Sequence, residues 1–396
     1  MNQRKGKQMR ENKNIKILII LLCIVMAVIF GCLIFIFVGV NHPNSNNAIE
    51  NTQQNGLNTS QDLQNSNTEN NLIQNSQTQN VVEPILNEIT SPSTGENNGT
   101  TQELISSTYY YGQLDNNAKI IYEALKQNKE NMKTGIYEID FGTQFNTLLH
   151  TETGEQELQT AFQSAWNAFS YDQVDLFYID TNKLTLMNEY ENIGGIVTYH
   201  ISIGPGENEN YLLDTFKQEG SIAQAESYIQ NIVNQIEEQT RQDTVVEKAR
   251  RIHNWLVSSI NYDQEQSNIN RFQIYGALHD QKAVCEGYAR SFKYLMEKVG
   301  VPCVLVSGTG TNSEGRTENH AWNYIQINNQ WYAVDVTWDD PVVVGGGRPS
   351  SNNLYKYFLK GSEEFYKDHK EENVISENSM SFKFPTLSTT DYELNF

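Results

Sequence analysis

Cysteine is scarce in this chain: four residues in 396. No CxxC pair, no HExxH run and no glycine-rich phosphate loop occurs, so the common zinc, redox and nucleotide signatures are missing. The seven histidines show no metal-ligand spacing, and no metal and no cofactor is expected. Positive charge is also short. Lys plus Arg number 28 against 48 Asp plus Glu, for a net charge of −20. Such a chain has little means to neutralise phosphates, which argues against a nucleic-acid partner. Residues 41–100 contain no Lys, no Arg and no aromatic residue. A segment built of Asn, Gln, Ser and Thr cannot bury enough apolar surface to fold. It reads as a disordered stalk over residues 41–103.

What is present begins with a basic flank. Arg4, Lys5, Lys7, Arg10, Lys13 and Lys16 face only Glu11 over residues 1–16. Residues 17–40 follow without one charge. At about 1.5 Å per residue they outspan the roughly 30 Å hydrocarbon core of a bilayer. The spacing predicts one transmembrane helix, with the basic tail cytoplasmic and the rest of the chain outside. The run is too long for a signal-peptide core, and no small-x-small site follows it.

Chemistry concentrates between residues 282 and 341. Ala289, Phe292, Leu295, Met296 and Val299 keep helical spacing, and Gly300 and Pro302 end the run. Cys285 therefore falls at a helix N-terminus. The partial positive charge there favours thiolate, and the free backbone N–H groups suit an oxyanion.

His320 and Asp335 lie on two runs that read as strands, 320–327 and 331–337. Asn328 and Asn329 between them suit a two-residue hairpin turn. That turn pairs Ile327 with Gln330 and puts His320 opposite Thr337, with Asp335 as its diagonal neighbour on the same face. Trp322, Tyr324, Trp331 and Ala333 share that face, while Ile325, Ile327, Val334 and Val336 point into a core. A thiol, an imidazole and a carboxylate in reach of one another make a nucleophile, its base and the group that orients the base. Asp339 and Asp340 compete with Asp335 for the third place.

This region resembles the transglutaminase-like superfamily, in a bacterial branch similar to eukaryotic cytokinesis and kyphoscoliosis-type proteins. The residues that carry the likeness are Val284-Cys285-Glu286-Gly287-Tyr288-Ala289, His320-Ala321-Trp322-Asn323 and the run from Trp331-Tyr332 to Asp340-Pro341. The resemblance covers 243–360. It implies an α+β, papain-like core with Cys285, His320 and Asp335 as a catalytic triad. Tyr262, Trp322 and Trp338 are expected to line the substrate site. Members include cross-linking acyltransferases, peptidases, amidases and forms that have lost catalysis, so the reaction stays open.

The remaining chain divides into a mixed α+β region at 104–242 and a C-terminal extension at 361–396. In the first, helices are expected at 115–128 and 155–169, and strands at 135–141, 175–180, 183–188 and 195–203. Ile222, Ala225, Ile229, Ile232 and Ile236 mark a helix, and Asp243 could cap the next one. A strand is expected at 355–359, and Gly345 to Gly347 read as a flexible loop beside the site. A helix separates Cys285 from Cys303 by roughly 20 Å, too far for a disulfide, so two free thiols are expected. These readings converge on a membrane-anchored, outward-facing thiol acyl-transfer enzyme acting on a protein or peptide substrate, cell-envelope peptides included. The alternative is a non-catalytic envelope binding module that keeps the fold. Oligomeric state is left open.

Overall fold

The computed structural model describes residues 107–340 and 354–394. The expected membrane segment, the stalk and the loop at Gly345–Gly347 lie outside the described residues. Among those described, no helix is long and apolar enough to cross a membrane.

The first half begins with helix α1 (Asn116–Gln127), whose Asp115 side chain caps it by accepting from the Ala118 N–H. Its face of Ala118, Ile121, Tyr122, Ala124 and Leu125 is buried. Strand β1 (Ile139–Gly142) and the short helix α2 (Asn146–Leu149) follow. Helix α3 (Gly154–Asp172) is buried almost all round beyond Ala161. Its last residue, Asp172, accepts from the backbone N–H groups of Tyr110 and Tyr111, both at 3.0 Å. Burial pushes that carboxyl up to about 7. Tyr110 is therefore core, with its ring edge-on to Phe382 at 5.4 Å.

Strands β2 (Thr185–Ile193) and β3 (Ile196–Gly204) form a hairpin, and β1 completes a sheet of order β1-β3-β2. The expected strand at 175–180 is absent. Phe177, Tyr178 and Ile179 are buried as a strand would bury them, but Ile179 makes a single bridge, to Leu212. The Asp180 side chain accepts from Asn182 N–H and turns the chain into a 3-10 helix.

Helix α4 (Ser221–Thr240) is followed by α5 (Val245–Ser259). The cap of α5 is Thr244, in a reciprocal capping box with Glu247, and Asp243 instead pairs with Arg251 at 2.8 Å. Two short parallel strands, β4 (Asn261–Tyr262) and β5 (Lys282–Ala283), flank helix α6 (Ile274–Leu278). Helix α7 (Cys285–Lys298) leads into β6 (Cys303–Thr311), β7 (Thr317–Ile327) and β8 (Gln330–Val334). A helical turn, α8 (Val336–Asp339), comes next. Strand β9 (Phe358–Lys360), helix α9 (Ser362–Phe365) and strand β10 (His369–Glu371) complete the order. The second sheet runs β10-β6-β7-β8-β9. The segment after residue 360, expected as an extension, thus supplies an edge strand of this sheet. One contiguous hydrophobic cluster spans both halves, from Tyr110 to Leu387.

Candidate active site

Cys285 is the first residue of α7 and half-buried. Several contacts fix that helix. Arg290 reaches the Ser170 carbonyl at the end of α3 at 2.7 Å and pairs with Glu286 at 2.7 Å. Asn323 on β7 donates to the Ala289 carbonyl at 2.9 Å. Lys248 on α5 donates to the Val299 carbonyl at 2.8 Å. The start of α7 lies so close to the preceding loop that a Cβ on Gly287 would come within 2.4 Å of the Arg271 carbonyl oxygen. Only glycine permits this approach.

The β7–β8 hairpin turns at Asn328 and Asn329, both at positive φ. Ile327 pairs with Gln330, and the register runs to Asn323 opposite Val334. There the ladder ends. Asp335 donates its N–H to the Tyr357 carbonyl, and its side chain caps α8 by accepting from the N–H groups of Thr337 and Trp338 at 3.0 and 3.1 Å. Thr337 therefore does not lie across the ladder from His320. The β-branched run after Asp335 is extended by propensity, but the cap and helical hydrogen bonds override it.

His320 Nε2 meets Asp335 Oδ2 at 2.7 Å, with both side chains buried. Cys285 lies close enough to the imidazole to act on its titration. Burial pushes the imidazole's ordinary value down. The Asp335 carboxylate, and after it Cys285, overcome that and hold it at about 10. Burial would likewise raise the Asp335 carboxyl, but His320 and then His369 hold it well below the usual carboxylate range. Trp338 stacks on His320 at 5.0 Å between ring centres.

The competing carboxylates are engaged elsewhere. Asp339 Oδ2 lies 3.1 Å from His253 Nε2, and Asp340 accepts from the Tyr288 hydroxyl at 2.6 Å. Tyr262 is half-buried and close enough to Cys285 for the two to act on one another's electrostatics. Trp338 is half-buried over the imidazole. Trp322 is not in a lining position: it is wholly buried and packs against Phe365 and His369. Cys303 is free and fully buried.

One site residue escaped the sequence reading. His369, on β10, brings Nε2 within 3.1 Å of Asp335 Oδ2. Its position depends on pairing with Gly310 of β6, a contact between segments far apart in the chain. No local pattern around it signals this. The polar atoms of His320, Asp335 and His369 lie within 4.8 Å of one another, and among the described residues this is the group that could hold a metal ion. Both imidazoles are already hydrogen-bonded to the carboxylate, and an ion would have to displace those bonds.

The class these elements define is a mixed α+β, transglutaminase-like fold. Residues 230–336 match the family model of the transglutaminase-like superfamily, and the chain carries a transglutaminase-like domain. Kyphoscoliosis peptidase of Mus musculus is 29% identical over 175 residues, covering 41% of this chain and 26% of that protein. The Homo sapiens kyphoscoliosis peptidase is 29% identical over 162 residues, 38% of this chain and 24% of that protein. The chain spans about a quarter of the length of these curated relatives. Among solved structures, a TGase is similar at a TM-score of 0.27 and 18% identity, covering 44% of this chain and 49% of that one. The periplasmic domain of TgpA from Pseudomonas aeruginosa gives 0.23 and 12%, over 36% and 54%.

Proposed function

We propose that this chain is a thiol acyl-transfer enzyme, anchored in a membrane by residues 17–40 with its folded part outside. The observation that carries the chemistry is the buried His320–Asp335 pair at 2.7 Å, with the helix-start Cys285 near enough to act on the same imidazole. With the proton already on His320, the Cys285 sulfur attacks the carbonyl carbon of a peptide bond or a Gln side-chain amide. As the S–C bond forms, negative charge moves to the carbonyl oxygen. The N–H groups at the start of α7, which begins at Cys285, are suited to hold that charge. The C–N bond then breaks, the amine leaves with the proton from His320, and a thioester remains. Asp335 holds the imidazole in orientation and stabilises its charge.

Water resolves the thioester in a peptidase or amidase, and an amine resolves it in a cross-linking enzyme. The relatives named peptidases make peptide-bond hydrolysis the first reaction to assay. Thioester formation on Cys285 from an activated ester, read by intact-protein mass spectrometry, tests the chemistry common to both. Absence of any adduct would remove the acyl-transfer reading. Protease added to intact cells tests the topology. The domain should be digested, and protection until lysis would contradict the outward orientation.

A further inference from the structure

Arg241, Arg251, Arg290 and Arg316 each pair with a carboxylate. Arg271 pairs with none among the described residues, in a chain where 48 acidic residues outnumber 28 basic ones. Its side chain is half-buried. Among the described residues the guanidinium makes one hydrogen bond, from Nη1 to the Asn268 carbonyl at 3.0 Å, and it lies 4.6 Å over the Phe272 ring. Nε is buried and has no acceptor. Nε and Nη2 form the edge of a guanidinium that takes a carboxylate side-on, and that edge is the one left over. The loop beneath it is fixed. Asp263 accepts from the N–H groups of Ser267 and Asn268 at 3.1 and 2.8 Å. Asn268 donates to the Lys282 carbonyl on β5 at 2.7 Å. The Arg271 carbonyl accepts from the Val284 N–H at 3.1 Å, one residue before Cys285. A donor shielded from water without a partner costs stability, whereas one held on a fixed loop is pre-organised for a ligand.

We propose that Arg271 is a specificity-determining residue of this site: it binds a carboxylate on the peptide whose amide bond Cys285 attacks. This rests on the reading of Cys285 as the nucleophile. A peptide offers that anion in two ways, as an Asp or Glu side chain or as its C-terminal carboxylate. Both present two coplanar oxygens that match the free edge of the fork. The backbone of Arg271 is tied to the residue before Cys285, and an extended peptide advances about 3.3 Å per residue. A carboxylate on Arg271 therefore belongs to a residue within a few positions of the attacked bond. Lysine in this place would keep the charge and lose the fork.

The test is a competition among peptides on the full chain. One pool of short peptides around a central Gln-Ala carries a single Asp at each other position in turn, and a matched pool carries Asn there. A further pair ends in a free carboxylate or in an amide. Acyl-enzyme on Cys285, read by intact-protein mass spectrometry, gives the ratio of kcat/KM within each pair. Wild type should take at least one carboxylate peptide about ten- to a hundredfold faster than its neutral match. The pair that shows this tells a side-chain carboxylate from a C-terminal one. Arg271→Gln should bring that ratio close to one, and Arg271→Lys should leave it in between. Ratios near one for every wild-type pair, or a ratio that persists in Arg271→Gln, overturn the proposal. If Arg271→Gln does not melt cooperatively, the wild-type ratios and Arg271→Lys decide by the same criterion. If no peptide gives an acyl-enzyme, acyl transfer fails as a reading. Equilibrium binding of the same pairs to the full-length Cys285→Ala chain then decides this inference alone: a preference for the carboxylate upholds it, and equal binding overturns it.

Discussion

The imidazole of His253 and the carboxylate of Asp339 meet at 3.1 Å, with both side chains wholly buried. His253 lies on α5 and Asp339 ends α8, so the contact pins to the core the turn that carries Asp335 and Trp338. Asp339 also accepts from the Tyr357 N–H at 2.8 Å. Burial pushes its carboxyl up to about 6, against the pull of His253. Asp339→Asn should therefore act mainly on stability, costing on the order of 3 kcal/mol. Asp335→Asn should mainly lower turnover, though less than Cys285→Ala or His320→Ala, because Asn can still bond to the ring but stabilises the wrong tautomer. Melting curves beside acylation rates separate the two. A larger turnover loss in Asp339→Asn would show that the third member is misassigned.

Gly310 on β6 leaves room for the ring that covers the site. A Cβ there would come within 2.7 Å of Trp338 and 3.4 Å of His320. Gly310→Ala should displace Trp338 from the imidazole and lower the acylation rate about ten- to a hundredfold. Trp338→Phe, which keeps an aromatic ring, should lose less than Trp338→Ala. An unchanged rate in Gly310→Ala would mean the stacking does not position His320.

The pH dependence of stability has a definite sign. His320 is raised to about 10 in the folded chain, so its contribution is complete below the ordinary value near 6.5 and is lost as pH climbs to about 10. Asp335 is lowered, so its contribution is present above about pH 4 and lost as pH falls below that. The destabilisation caused by His320→Gln should be largest between about pH 4.5 and 6.5, on the order of 3 kcal/mol, and shrink toward pH 10. Denaturant melts across that range check it. A cost that grows with pH would contradict the charged pair.

Much of the site could be read locally. The apolar spacing of Phe292, Leu295 and Met296 sets α7, and with it the place of Cys285. Asn328 and Asn329 set the hairpin register, because both tolerate the positive φ of a two-residue turn. The departure of Asp335 from the strand was not legible. Val336, Thr337 and Trp338 favour a strand by propensity, and the helical turn depends on the carboxylate accepting from two following N–H groups. The burial of Trp322 follows from packing against Phe365, supplied by a segment that read as an extension. His369 depends on the same long-range pairing. Isolated apolar periodicity also misled at 175–180, where burial was right and backbone conformation was not.

Acylation of Cys285 tests the central claim most directly. The full chain is mixed with an activated ester and, in parallel, with a glutamine-containing peptide, then quenched in acid and weighed intact. Wild type should gain the mass of one acyl group, mapped to Cys285 and released by water or amine. Cys285→Ala should gain none, and His320→Ala should gain it at least a hundredfold more slowly. An adduct of equal rate in Cys285→Ala, or none in wild type, would contradict the assignment of this site to acyl transfer.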